Sequence, residues 1–136
     1  MAILYPPRMG QILICDYTTG FKVPEMVKVR PVVVISPEPR GRITRLCTVV
    51  PLSTTQPEAL ELHHCEIRLA RPLPKPFDAA ICWAKADMLA TVSYERLDMP
   101  KAGKGFDGKR KYIKVFLEDT QLASVRQCAL AALGFH

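Results

Sequence analysis

The chain has 136 residues, 49% of them hydrophobic, which is enough for one domain with a substantial core. No apolar run approaches the roughly 20 residues of a membrane-spanning helix. The start of the chain has two prolines and an arginine instead of an apolar signal segment, so we expect a soluble, cytoplasmic protein. Nineteen Lys and Arg against thirteen Asp and Glu give a formal charge of +6. This charge favours a polyanionic partner, and nucleic acid over membrane because no long helix has a lysine-rich face.

Five cysteines, an odd number spread widely along the chain, argue against a disulfide framework or a zinc ribbon. Four of them fall in apolar strand-like runs, where free cysteine acts as a small buried hydrophobe. The one metal-like cluster is His63, His64 and Cys65. Because side chains alternate along a strand, at most His63 and Cys65 could bind together, and we expect no metal site there.

Short alternating or β-branched runs predict a mainly β fold in the first two-thirds of the chain. The second run, residues 31–36, contains four successive β-branched apolar residues, Val32 to Ile35, as is typical of a central strand buried on both faces. Two long connections separate runs, at 18–29 and 56–64, and segment 71–77 (RPLPKPF) is predicted to turn at a barrel edge. The predicted strands cover residues 11–17, 31–36, 46–52, 65–70, 79–83 and 87–92.

Composition changes after Leu97, where glycines and basic residues predict a flexible insertion over residues 98–111. A further strand at 112–117 is followed by a helix that begins at Asp119 or Thr120 and ends at Gly134. The helix has an apolar stripe formed by Leu122, Val125, Ala129, Ala132 and Leu133. The pattern predicts one domain over residues 1–136, a small β-barrel closed by a C-terminal helix.

Two groups of polar residues stand at the ends of predicted strands. Glu25 and Arg30 precede the apolar strand 31–36, and an arginine there can hold a phosphate with two parallel hydrogen bonds. A surface ion pair between them is the alternative. Ser53 and Thr54 follow the third strand, where their hydroxyls could donate to phosphate oxygens or simply end the strand.

The order of these features resembles the PemK/MazF toxin family. The family's opening Met-Gly-x-(Ile/Leu) and strand ending in Asp match Met9 to Ile12 and Asp16. Its glutamate, its Arg-Pro before an apolar strand and its closing Ser-Pro match Glu25, Arg30-Pro31 and Ser36-Pro37. Its strand ending in Val-Pro-x-(Ser/Thr)-(Ser/Thr) matches residues 50–54, and a later element matches residues 87–93 and Arg96-Leu97.

The resemblance implies an SH3-like barrel and a metal-independent endoribonuclease that cuts single-stranded mRNA. In this chemistry the ribose 2′-hydroxyl attacks the adjacent phosphate, leaving a 2′,3′-cyclic phosphate. It also implies no cofactor, a homodimer and an antitoxin partner. Arg30 and Ser53 would be the phosphate-site pair, and Lys85-Ala86-Asp87 stands where the PemK branch has Arg-x-Asp for acid and base. Contacts to RNA are expected from Thr54, Lys28, Lys104, Lys109, Arg110 and Lys111.

Departures from the family pattern leave the base unassigned. Lysine replaces arginine at 85, alanine replaces arginine at 90, and Pro24 stands where some members have a histidine. Glu25 or Asp87 would then act as base, and Lys85 could serve because an amine, unlike a guanidinium, can lose its proton. Trp83 could stack a base or lie in the core. His63, His64 and His136 receive no role.

Two other functions remain open. A DNA-gyrase poison has the same barrel, but those toxins end in a tryptophan-containing helix tip, whereas this chain ends Leu133-Gly134-Phe135-His136. A non-catalytic nucleic-acid-binding barrel is favoured by the missing guanidinium groups at positions 85 and 90.

Overall fold

The structure is a computed structural model that describes residues 3–41 and 43–135. It contains ten strands and one helix in that part of the chain. The strands are β1 (Gln11–Asp16), β2 (Val29–Val34), β3 (Leu46–Ser53), β4 (His64–Arg68), β5 (Ile81–Lys85), β6 (Ala90–Ser93), β7 (Leu97–Asp98), β8 (Lys101–Lys104), β9 (Arg110–Tyr112) and β10 (Val115–Phe116), and the helix is α1 (Asp119–Ala132). The expected mainly β fold with a C-terminal helix is confirmed.

The strands close a ring through a covalent link. All pairs are antiparallel: β1 pairs with β2, β2 with β3, and β3 with β6. A 3₁₀ turn, Tyr94–Arg96, joins β6 to β7, and β7 pairs back onto β1. Strands β10, β5 and β4 extend the sheet at its two ends, in the order β10-β1-β2-β3-β5-β4, and β8 and β9 form a separate two-stranded sheet.

Alternation along β1, β2 and β3 sends side chains to two separate cores. The ring encloses the first, here called the inner core: Ile3, Leu13, Cys15, Tyr17, Val32, Val34, Cys47, Val49, Val92, Tyr94 and Leu97. The opposite face packs against α1. This second group, the helix-side core, includes Ile12, Val33, Val50, Leu52, Ile67, Leu73, Cys82, Ala84, Leu117, Val125, Cys128 and Ala129.

The predicted strand boundaries are close to the observed ones, with three corrections. The strand predicted over 112–117 is reduced to β10 (Val115–Phe116), because Tyr112 belongs to β9. Residues 87–92 do not form one strand, because a 3₁₀ turn at Ala86–Met88 precedes β6. The insertion 98–111 is not an open loop, because β8 and β9 pair as a hairpin. The backbone N–H and C=O groups make the hydrogen bonds between β8 and β9, and they can do so with almost any side chains. The glycines and basic residues of this segment therefore did not predict a hairpin.

The helix is observed where the sequence predicts it, but Leu133 of the predicted apolar stripe is exposed. Helix α1 begins at Asp119 after Glu118, and Val125 is fully buried. Gly134, with φ +89°, ends it in a Schellman motif in which Phe135 N–H donates to Leu130 O. Four cysteines are buried, among them Cys128 of the helix, whereas Cys65 in a strand is only half-buried, and all five are free thiols. Within the described residues no helix is long and apolar enough to cross a membrane.

Candidate active site

Arg30 and Ser53 lie side by side at one end of the ring. Val32 on β2 pairs with Pro51 on β3, and continuing this antiparallel register by two residues places Arg30 opposite Ser53. Arg30 shares its strand face with Val32 and Val34 of the inner core. The phosphate pair predicted from the sequence therefore stands at the mouth of the ring, above the inner core.

Arg30 has an unused hydrogen-bond donor. Its side chain is half-buried, and its Nε is buried without a hydrogen-bond partner. An unpaired buried donor costs free energy, which an anionic acceptor would recover. Ser53 is only 5% exposed, and its Oγ accepts a bond from Thr55 N–H at 3.1 Å. The hydroxyl proton of Ser53 remains available to a phosphate oxygen.

Glu25 and Lys28 belong to the loop before β2, and both are exposed. The backbone N–H of Glu25 donates to Lys22 O at 2.7 Å, and its Oε1 accepts from Lys22 N–H at 3.4 Å. In the described part of the chain no ion pair joins Glu25 to Arg30, so the surface-pair alternative is wrong. The Glu25 carboxylate bonds within its own loop.

Trp83 continues the polar row across the sheet. Ser53 pairs with Trp83 on β5, and Trp83 pairs with Glu66 on β4, so these side chains share one face with Arg30. Trp83 is half-buried and belongs to neither core. Of the two alternatives for Trp83, a place in the core is therefore wrong, and base stacking stays a prediction.

Lys85 and Asp87 are not on one strand face as expected. Strand β5 ends at Lys85, and the 3₁₀ turn then redirects the chain before Asp87. No ion pair joins Lys85 to Asp87 in the residues that the structure covers. Instead Oδ2 of Asp87, which is exposed, lies 3.5 Å from Nε2 of His63.

The two histidines lie on the same side of the chain, contrary to the strand alternation argument. His63 precedes β4, and only His64 is in the strand, so alternation does not apply between them. Their ring centroids are 4.2 Å apart, whereas Cys65 packs against the helix-side core. Burial and the neighbouring His63 lower the pKa of His64. The contact of His63 with Asp87 could not be predicted from the sequence, because it depends on the pairing of β4 with β5 across a long connection.

A small apolar cavity opens beside Arg30. Its volume is about 150 Å³, and Arg30 and Thr54 are among the residues that line it. Segment 71–77, read from sequence only as a turn, supplies Leu73, Pro76 and Phe77 to its wall. Thr54 is exposed and can contact whatever lies over the cavity.

The basic hairpin β8–β9 approaches the same region. Pro76 and Phe77 also line a neighbouring groove, and Lys101 at the start of β8 lines the same groove. Lys109 and Lys111 are exposed. The side chains of Lys104 and Arg110 lie outside the described part of the structure, and so does His136.

Comparison with known proteins identifies the family to which this chain belongs. The sequence profile of the family described as PemK-like, MazF-like toxin of type II toxin-antitoxin system matches residues 8–130. The uncharacterized protein YifN of Escherichia coli (strain K12) is 33% identical, over 78% of this chain and 81% of its own length.

Solved structures share the fold at lower identity. An endoribonuclease in complex with its cognate antitoxin from Mycobacterial species superposes with a TM-score of 0.62 at 19% identity, over 96% of this chain and 97% of that one. MazF from Deinococcus radiodurans gives 0.61 at 19% identity, over 96% and 99%. With the family profile spanning nearly the whole described chain, and Arg30 and Ser53 meeting at the mouth of the ring, this protein belongs to the PemK-like, MazF-like toxins of type II toxin-antitoxin systems.

Proposed function

We propose that this protein is an endoribonuclease that cuts single-stranded RNA by attack of a ribose 2′-hydroxyl on its own 3′-phosphate. The main support for this proposal is the buried Nε of Arg30, which has no hydrogen-bond partner and lies beside the Ser53 hydroxyl. Two oriented donors at one point suit a phosphate, and their bonds strengthen as charge grows on the pentacoordinate phosphorane. The products are a 2′,3′-cyclic phosphate and a free 5′-hydroxyl.

Proton transfer falls to groups on the neighbouring strands. Trp83 on β5 is two strands from β2, so at about 4.8 Å per strand its backbone is roughly 10 Å from that of Arg30. Asp87 follows Trp83 beyond the end of β5, so its backbone lies farther from Arg30, and the bound nucleotide would have to span the distance between the two side chains. We assign Asp87 as the base that accepts the 2′-hydroxyl proton and Lys85 as the acid nearest to it in sequence, with Glu25 as the alternative base.

Supporting contacts surround this centre. Trp83 offers a half-buried ring on the same sheet face, which suits stacking of a neighbouring base. Thr54, Lys28 and the lysines of the hairpin would contact the RNA backbone, where flexible ammonium groups add affinity without reading sequence.

An antitoxin partner is supported by the charge of the chain and by one structure with the same fold. A formal charge of +6 favours an acidic antitoxin, and one structure with this fold is described as a complex with its cognate antitoxin. We propose the same kind of partner here, together with a homodimer.

The test is incubation of the purified chain with labelled single-stranded RNA in EDTA. Cleavage products that end in a cyclic phosphate are expected, and a matched RNA with a 2′-deoxy residue at the scissile position should resist, because the nucleophile belongs to the substrate. Cleavage of the deoxy substrate would exclude the mechanism. Tight RNA binding without cleavage would instead identify a non-catalytic barrel, for which the lysine at 85 is the specific support.

A further inference from the structure

Two imidazoles and one carboxylate converge where the loop before β4 meets the end of β5. Ala86 N–H donates to His63 O at 3.0 Å, and His64 pairs with Lys85, so the backbone holds both segments together. Potential donor atoms of His63, His64 and Asp87 all lie within 4.8 Å of one another. The two rings are half-buried and the carboxylate is exposed, so the group is open to solvent.

This set of donors suits a transition metal. Imidazole nitrogen with a carboxylate oxygen is a ligand set typical of zinc and its neighbours, whereas magnesium and calcium prefer oxygen alone. A tetrahedral zinc ion with bonds of about 2.0–2.1 Å holds its ligand atoms about 3.3 Å apart. The present separations come within that range by small rotations of side chains that face solvent.

One existing hydrogen bond would have to break. Glu61 N–H donates to Nδ1 of His64 at 3.1 Å, so the neutral ring carries its proton on Nε2. Coordination through either nitrogen requires His64 to release the Glu61 amide. Glu61 is exposed, so water can replace that bond.

We propose that His63, His64 and Asp87 form a binding site for one divalent transition-metal ion, and that the bound ion suppresses RNA cleavage. Coordination occupies the Asp87 carboxylate, which could then no longer accept a proton. The inhibitory part rests on the proposed function, whereas the binding part does not.

The binding test uses the full-length, untagged protein after removal of metal with EDTA. Calorimetric titration with Zn²⁺ should give one equivalent bound, unaffected by excess Mg²⁺, with shifts in the histidine-ring NMR signals. His63→Gln and Asp87→Asn should each weaken zinc binding at least tenfold. The matched controls are His136→Gln, a histidine elsewhere in the sequence, and Glu58→Gln, an exposed carboxylate in the same loop; both should titrate like the wild type.

Wild-type affinity in both His63→Gln and Asp87→Asn, or displacement of zinc by Mg²⁺, would overturn the metal site. The activity test compares cleavage rates in EDTA and in zinc. Zinc should inhibit the wild type and His136→Gln, whereas His63→Gln should keep its own EDTA rate in zinc. A protein that never cleaves RNA refutes the proposed function, and the titration still decides the site. Cleavage that requires zinc would overturn the inhibitory role.

Discussion

Arg30 stands in the proposed phosphate site, and its buried Nε, which has no hydrogen-bond partner, lowers the stability of the fold. Arg30→Ala should therefore abolish RNA cleavage without lowering the free energy of unfolding, because the variant removes an unsatisfied donor. Arg30→Lys should restore little activity, since an ammonium lacks the two parallel donors. Cleavage rates and thermal unfolding measure both effects. The control is Arg68→Ala, an exposed arginine paired with Glu66 at 3.0 Å, and it should stay active. Near wild-type cleavage by Arg30→Ala would refute the phosphate assignment.

Asp87 offers a test of the proton acceptor. Asp87→Asn keeps the shape and removes the basic oxygen, so cleavage should slow by about a hundredfold or more while RNA binding persists. Single-turnover rates and a binding titration separate the two effects. Asp78→Asn, another exposed aspartate, should have no effect. Full activity in Asp87→Asn would move the base to Glu25.

The contacts of the candidate site that arise from the pairing of two adjacent strands could be predicted from the sequence. Those that depend on where a strand ends could not. Arg30 and Ser53 flank adjacent apolar strands, so their proximity follows from antiparallel pairing. The contact of His63 with Asp87 depends on two events. Strand β5 must end at Lys85, and the connection 69–80 must return the chain so that β5 pairs with β4. Local periodicity contains no information about either event.

Among the elements, the junction of β1 with α1 depends on a glycine. Gly10 has φ +90°, and an added Cβ would lie 3.1 Å from Cδ2 of Leu122 on the helix. Gly10→Ala should lower the free energy of unfolding by about 2 kcal/mol through backbone strain and the displaced leucine. Gly103→Ala, at φ +93° with no atom within 4 Å, isolates the backbone strain and should cost less. Equal losses in chemical denaturation would show that the helix contact contributes nothing.

The β8–β9 hairpin should contribute electrostatic affinity for RNA. Replacing Lys104, Lys109, Arg110 and Lys111 with glutamine should reduce the salt dependence of binding. If each contacts one phosphate, the log–log slope should fall by about 3, given roughly 0.7 per phosphate on single strands. Binding titrations at several salt concentrations measure the slope, with Arg126→Gln on the exposed side of α1 as the control. An unchanged slope would place the hairpin away from the RNA.

Considered as a whole, the molecule keeps its thiols inside two cores that unfold with the sheet. Burial raises the pKa of Cys15 and Cys82 to about 11, and that of Cys47 and Cys65 to about 12. Since the reactive thiolate is lost as pH falls below the pKa, on the order of one Cys15 thiol in ten thousand is ionised at neutral pH. Ellman's reagent should therefore react slowly with the native protein and rapidly in concentrated guanidinium chloride. Fast labelling of the native chain would show that the cores open locally.

The ring closes through the covalent turn between β6 and β7, and the inner core fills the middle of its strands, whereas the chemical groups stand at strand ends. The residues that determine the fold are therefore different from the residues that determine the chemistry. Residues at strand ends, such as position 85 at the end of β5, can be exchanged while the closed ring of strands continues to specify the fold. Relatives at 19% identity that keep this architecture over nearly their full length are the expected result. The side chains at strand ends can accordingly change without passing through a sequence that fails to fold.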